Sequence, residues 1–501
     1  MSSAPFAGEA PGQGRDHPLT LTAVLDEAPT SRFHRRAVLV AGVGFFTDAY
    51  DLFVISTVAT LVTAQWRLDT TQTSWVLGSA ILGAFVGALF FGRLADLLGR
   101  KKIFLLVAVL MIIGALLSAV APGFLWLVAA RFLLGLGIGG DYPVSAVLMS
   151  EYANRQDRGK LVGLVFSMQA LGLIVGPLVA ISLLSGGVSH ELTWRLLLAL
   201  GAVPAGAVVY LRSKMPESPR YEARVRGTSA EVVDQIERYS GGAIKASPTL
   251  HEQTASMSLR AFLSDRRMLR LIIGTAGAWF LFDYAYYGNT LSLPTILKDV
   301  DPGASLVGKL ALTLLLFVVF AVPGYALAIL RMDRFGHRRL QLLGFAVMAG
   351  AFVALAAIGP LTEFVGPFIA VFGISYFFIE FGPNTMTFVL PSEVFPTSVR
   401  TTGHGTAAGI GKLGAFIGVF LVPQLQHGIG LRGMLLVAGI ASVGGFLFTT
   451  LLPETNGRSL DEISGESPTV TATTTSRDSS STAEGSSGPS RQPDVADRQS
   501  A

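Results

Sequence analysis

Apolar residues gather along this chain in twelve blocks, at roughly 36–64, 73–97, 103–121, 124–150, 160–184, 193–212, 269–297, 305–331, 339–359, 363–390, 402–426 and 431–452. A bilayer crossing takes about 20 such residues. Backbone donors and acceptors at membrane depth must be satisfied within their own segment, so each block predicts a helix. A polar stretch from about Arg212 to Arg267 divides the twelve into six and six. The expected organisation is a disordered N-terminus (1–35), a six-helix bundle (36–212), a central loop (213–267), a second bundle (268–452) and a mostly disordered tail (453–501). The tail from Gly465 is rich in Ser, Thr, Gly and Pro and nearly free of bulky apolar residues, a composition that cannot build a core.

Composition agrees with this pattern. Only 14% of the 501 residues are charged and mean hydropathy is +0.54, against about 25% charged in soluble domains. The first thirty residues hold no signal-peptide-like apolar core, so the first block stays as a span. With no cysteine, disulfides, thiolate metal sites and cysteine nucleophiles are excluded. There is no G-x-x-x-x-G-K-[ST] loop and no H-E-x-x-H, so ATP drive and metal chemistry are not expected. No cofactor, metal, enzymatic activity or nucleic-acid partner is expected; the surroundings are a lipid bilayer.

Basic residues alternate from loop to loop. Arg32, Arg35 and Arg36 precede block 1, and Arg93, Arg100, Lys101 and Lys102 surround the link after block 2. Arg155, Arg158 and Lys160 follow block 4, and Arg331, Arg334, Arg338 and Arg339 follow block 8. The opposite links carry only Arg67, Lys298 and Arg432. The positive-inside rule then puts both termini in the cytoplasm, with the plasma membrane as the site.

The halves also repeat. Asp96…Gly99-Arg100-Lys101 is echoed by Asp333…Gly336-His337-Arg338, and Pro216-Glu217-Ser218 by Pro453-Glu454-Thr455, both at an offset of 237. Glu151…Arg158 is echoed by Glu393…Arg400, and Gly172…Gly176 by Gly414…Gly418, both at 242. Four anchors at nearly one offset indicate two parallel six-helix repeats.

Several polar residues are stranded in the apolar blocks, where they are costly enough to imply a task. Asp48 and Asp51 stand three apart, on nearly one helix face. Two such carboxylates will not both ionise cheaply, which suits a proton carrier; a pair hydrating an aqueous vestibule is the alternative. Asp141 and Tyr142 close a glycine-rich run, Gly135 to Gly140, that reads as the lining of a passage. A salt bridge from Asp141 to Arg131 or Lys412 is its structural alternative, and helix-to-helix bridging is that of Gln169. Trp279, Asp283 and Tyr287 share one helix face, and Pro294 is expected to kink or end that helix. Asn384 can bond a substrate or a carbonyl freed near Pro383. Lys412 lies ten residues into its block, too deep to snorkel out. It either neutralises a carboxylate such as Asp283 or meets an anion.

Gly92-Arg93-Leu94-Ala95-Asp96-Leu97-Leu98-Gly99-Arg100-Lys101-Lys102 resembles the loop motif of the major facilitator superfamily. Gly44-Phe45-Phe46-Thr47-Asp48-Ala49-Tyr50-Asp51, the Gly137–Glu151 run, Phe381-Gly382-Pro383-Asn384 and Gly411-Lys412-Leu413-Gly414 narrow the resemblance to the phosphate:proton symporter family. It covers all twelve spans. What it implies is an all-α membrane fold that imports inorganic phosphate with protons by alternating access, working as a monomer. The resemblance assigns Tyr142, Gln169, Trp279, Asp283, Tyr287, Asn384 and Lys412 to the phosphate site and Asp48, Asp51 and Asp141 to the proton path. Asp96, Arg100, Asp333 and Arg338 read as cytoplasmic clamps that lock one face shut, with ordinary positive-inside loop charge as the alternative. Glu380 is acidic where an amide is expected, which reads as a further proton site or a change of substrate choice, and Arg131 reads as structural, holding Asp141 or Glu151. The competing substrates are an aromatic or dicarboxylic organic anion, or a sugar, and the competing class is a nutrient sensor.

Overall fold

The structure, a computed structural model, describes Asp26, residues 29–222 and residues 257–465. Most of the expected central loop, nearly all of the first thirty residues and the tail beyond 465 lie outside these. Every regular element among the described residues is helical.

Ten spans are α1 (Arg32–Trp66), α2 (Thr70–Leu98), α3 (Arg100–Ala119), α4 (Phe124–Tyr152), α5 (Arg158–Ser185), α6 (His190–Ser213), α7 (Arg266–Leu291), α8 (Leu306–Phe335), α9 (His337–Ala357) and α10 (Val365–Val394). The eleventh helix, Arg400–Thr449, has 50 residues. At 1.5 Å per residue it would reach about 75 Å, more than twice the ~30 Å hydrocarbon core. Gly430 interrupts it at φ 72°, ψ 171°, leaving α11 (400–429) and α12 (431–449). Twelve crossings result, as the blocks predict. The helix expected to stop at Pro294 breaks at Ser292, and Leu293–Val300 continues it with Pro294 in its first turn.

Even-numbered helices end, and odd-numbered ones begin, on one face of the bundle, here called the terminal face. There the two repeats build the same joint twice. Gly99 (φ 103°) and Gly336 (φ 93°) turn the chain into α3 and α9 in a conformation that penalises a side chain. Neither helix has a cap of its own. Glu217 supplies it for α3, accepting from the Arg100 and Lys101 amides at 3.1 and 3.2 Å. Glu454 does the same for α9, accepting from the His337 and Arg338 amides at 2.8 and 3.4 Å. A carboxylate on a helix N-terminus satisfies orphan donors and meets the positive end of the dipole.

The glycine run of α4 is used for packing, which corrects the expectation that it lines a passage. Gly135 and Gly139 abut Ala80 and Ala84 of α2, where a Cβ on Gly139 would stand 2.6 Å from the Ala84 Cα. Gly137 and Gly140 abut Val107 of α3. Small residues let the backbones approach this closely. The face of α4 left for other work is the one with Asp141 and Tyr142. Between the halves, α2 packs on α11 and α5 on α8.

Candidate functional site

Lys412 sits where the halves meet. Its Nζ donates to Asp283 Oδ2 at 2.9 Å and to the Tyr287 hydroxyl at 3.1 Å. It also lies over the Tyr287 and Tyr142 rings, 4.3 and 4.6 Å from their centroids. Tyr142 comes from the first half, and its hydroxyl is 3.5 Å from that of Tyr287. Trp279 closes one side, 6.4 Å from Tyr142 and edge-on to His404 at 5.6 Å. Phe53 of α1 stacks on Tyr287 at 5.4 Å. Lys412, Asp283, Tyr142 and Tyr287 are all buried. A buried ammonium needs a partner, because desolvating it alone costs several kcal/mol. Here one carboxylate, one phenol and two ring faces hold it.

Gln169 and Asn384 join this cluster through a residue that the sequence reading did not single out. The Tyr325 hydroxyl of α8 is within 3.2 Å of Gln169 Oε1 and 2.8 Å of Asn384 Nδ2. Asn384 Nδ2 is also 2.5 Å from Glu380 Oε2. Tyr325 stands beside Tyr142 and Tyr287, so the amide chain and the Lys412 cluster are neighbours. The signal available in the sequence was a tyrosine after Pro323-Gly324 in an otherwise apolar block. Gly324 allows the approach, backing onto Phe377 and the Glu380 Cβ of α10.

The acids of the first half lie on its inner side, and one of their partners was unforeseen. Asp141 pairs with Arg212 of α6, the guanidinium reaching its two oxygens at 2.7 and 2.8 Å. This corrects the expected alternative of Arg131 or Lys412. Arg212 also donates to the Phe104 carbonyl at 3.1 Å and lies 3.6 Å over that ring. Gly44 makes room for the pair: a Cβ there would stand 2.8 Å from Asp141 Oδ2. Arg131 instead attends Asp51, donating to its backbone carbonyl at 2.6 Å and standing 4.0 Å from its carboxylate. Among the described residues no N–H or hydroxyl group donates to the carboxylate oxygens of Asp48 or Asp51, though both residues are buried. Asp48 lies against Asp141 and Arg212, and Gly201, where α6 breaks, backs onto Asp51.

The terminal face is shut by polar contacts between halves. Arg100 bonds Asp96 at 3.1 Å, Glu151 at 3.3 Å and, across the interface, the Thr397 carbonyl at 3.0 Å. Asp96 accepts from the amide and the hydroxyl of Thr402, both at 2.6 Å. Arg400 reaches Glu151 at 3.4 Å. In the second half His337 occupies the Arg100 position, 3.3 Å from Asp333 and 3.0 Å from Glu393. Arg338, expected in a clamp, turns instead to the Thr449 and Thr450 carbonyls of its own half. The offset of 237 pairs Arg100 with His337 and Lys101 with Arg338, so the repeat already held this correction.

A family model described as "Sugar (and other) transporter" matches residues 37–466. The low affinity inorganic phosphate transporter 4 of Petunia hybrida is 37% identical, over 89% of this chain and 94% of that protein. The inorganic phosphate transporter 1-11 of Oryza sativa subsp. japonica is 35% identical, over 89% and 90%. Among solved structures, the proton:xylose symporter XylE bound to 6-bromo-6-deoxy-D-glucose superposes with a TM-score of 0.74 at 22% identity, covering 87% of this chain and 99% of that one. The human organic anion transporter MFSD10 gives 0.61 at 15%, over 83% and 99%.

Proposed function

We propose, from the premise that the chain belongs to the sugar (and other) transporter family of major facilitator proteins, that it imports inorganic phosphate together with protons. Its plant relatives are named inorganic phosphate transporters and align over most of both chains. The observation that carries the reading is the Lys412 cluster. It places one cation, two phenols and one carboxylate at the seam between the halves, within reach of the amide donors of Gln169 and Asn384 through Tyr325. Phosphate needs a cation and several donors, and a carboxylate beside it is tolerable only if a proton arrives too.

In the cycle we infer, the terminal face is cytoplasmic and shut in this state. A proton taken up on Asp48 or Asp51, the acids without donors, relieves the crowding around Asp141. That same proton, passed on to Asp283, frees Lys412 to turn from that carboxylate to the incoming phosphate. Tyr142, Tyr287, Gln169 and Asn384 then direct hydrogen bonds to the oxyanion, with Trp279 closing the pocket. The halves rock about this site, the Asp96–Arg100 and Asp333–His337 clamps open, and phosphate and proton leave into the cytoplasm. Each net charge moved inward draws about 2.3 kcal/mol per 100 mV of membrane potential. The protein works as a monomer in the plasma membrane, its central loop and tails on the cytoplasmic side. A neutral sugar gives no reason for a buried lysine at the centre.

The test is uptake of radiolabelled phosphate into proteoliposomes under an inward proton gradient. Accumulation that collapses with a protonophore and is absent in Lys412→Ala is expected. Lys412→Ala with unchanged phosphate affinity would refute the site.

A further inference from the structure

The span α10 is not continuous. Its first helix ends at Phe381, Gly382 (φ −122°, ψ −98°) breaks it, and Pro383 starts the second. In the last turn of the first helix, fully buried, stands Glu380. The negative end of a helix is a poor place for an anion. The Glu380 backbone carbonyl is taken by the Thr385 hydroxyl at 2.6 Å, so that hydroxyl is not free for the carboxyl group.

Around the carboxyl group are Asn384 on its own span, Tyr286 of α7, and Tyr325 of α8, with Tyr376 nearby on α10. All are neutral, and among the described residues no cation pairs with Glu380. Asn384 and the Tyr286 and Tyr325 hydroxyls face the carboxyl group, all of them uncharged donors. An ionised carboxylate buried without a cation costs several kcal/mol. A carboxyl group holding a proton does not.

In the structure Asn384 Nδ2 donates to Glu380 Oε2 at 2.5 Å and to the Tyr325 hydroxyl, which donates to Gln169 Oε1. With a proton on Glu380 the Asn384 amide turns over, and the carboxyl O–H donates to its amide oxygen. The Tyr325 hydroxyl then donates to the same oxygen, and Gln169 turns one N–H to Tyr325 while its second N–H stays available to the oxyanion. When Glu380 is ionised every bond reverses: Asn384 donates to Glu380 and Tyr325, and Tyr325 donates to Gln169. The chain therefore has two directions, and the proton on Glu380 selects one. With the proton, the free group of Asn384 is its N–H₂, which attracts an oxyanion. Without it, the free group is the carbonyl oxygen, which repels one.

We propose that Glu380 is a second proton carrier, separate from the acids of α1, and a positioning residue that turns Asn384 into an anion donor when it is protonated. The inference rests on the phosphate reading of the same site. It binds proton and oxyanion together because one amide cannot face both ways.

The experiment is the phosphate accumulation ratio at equilibrium in proteoliposomes, with the membrane potential clamped at zero and a gradient of one pH unit. Each co-transported proton multiplies the ratio of the transported species by about ten, equivalent to about 1.4 kcal/mol. Glu380→Gln keeps a permanent N–H donor toward Asn384 and loses the proton, so its ratio falls about tenfold below the wild type. Its phosphate affinity loses the pH dependence contributed by this site. The ratio does not depend on rate, so any measurable counterflow makes the variant fit for comparison. An unchanged ratio overturns the proposal. If the variant does not assemble, the wild type decides: two carriers require about a hundredfold accumulation, and about tenfold overturns the inference. Absence of phosphate counterflow in the wild type is a different result and sinks the phosphate reading itself.

Discussion

Arg212→Met removes the cation of the first half while keeping the length of the side chain. Arg212 is 0% exposed, and its guanidinium holds both oxygens of Asp141 and the Phe104 carbonyl. Without it Asp141 faces Asp48 with no positive charge between them. Breaking a buried ion pair from one side costs about 3–5 kcal/mol, whereas replacing both partners with neutral groups of similar size is close to neutral. For a cooperative unit the size of the first bundle, about 2–4 °C of melting temperature goes with each kcal/mol. The single variant should therefore melt roughly 6–20 °C below the wild type, and Arg212→Met/Asp141→Asn should regain most of that. Unfolding of such proteins is commonly irreversible, so the three are compared in one detergent at one scan rate. Single and double variants that melt together, or a single variant that melts with the wild type, would refute the pairing argument.

Asp48→Asn relieves an acid that no donor satisfies, so the melting temperature should hold or rise while proton-driven accumulation is lost, a stability gain at the expense of function. Gly405→Val places a branched side chain against Ala88 and Gly92, where the halves touch at the terminal face. Maleimide labelling of Ser150→Cys, whose native hydroxyl bonds the Ser392 carbonyl across the same seam at 3.0 Å, should accelerate severalfold in that background. An unchanged rate would mean that the contact does not hold the face shut. Glu454→Gln removes the charge that caps α9 and should cost about 1–2 kcal/mol, read as a lower melting temperature; its repeat counterpart Glu217→Gln should cost a similar amount.

The fold was legible because its determinants are local or periodic. A run of apolar residues is a span wherever it occurs, and an offset of 237 or 242 survives the folding of each half. The candidate site was legible only in part. Lys412, Asp283 and Tyr287 advertise themselves as polar groups deep in apolar blocks, and the structure brings them together. Arg212 does not, since it stands at the edge of its block beside Ser213 and Lys214 and reads as loop charge. Its role depends on the separation of α4 and α6 and on the space left by Gly44, which are properties of packing. The glycines of α4 misled for a related reason. Small residues permit close approach, but the sequence does not say whether a ligand or a helix will use it.

The repeat explains why the terminal face can both lock and release. Glu151 of the first half takes Arg400 of the second at 3.4 Å, and Arg158, the repeat counterpart of Arg400, is the cation from the first half that acts on Glu393. Separating the halves thus breaks the Glu151–Arg400 pair and withdraws the charge of Arg158 from Glu393 in one motion. The opposite side is held differently, by ring contacts such as Trp75 on Phe416 and Phe420 at 5.7 and 5.4 Å. Ring contacts of this kind contribute about 0.5–1.5 kcal/mol each, whereas truncating one member of a buried ionic pair costs several. The two closures therefore differ in what can open them. Rings part when the helices tilt, while buried carboxylates and arginines part only where water or a charged substrate replaces their partners. On the proposed reading, the terminal face stays shut until an anion arrives at Lys412 from the other side, and the binding energy of that anion is what can be set against the polar lock.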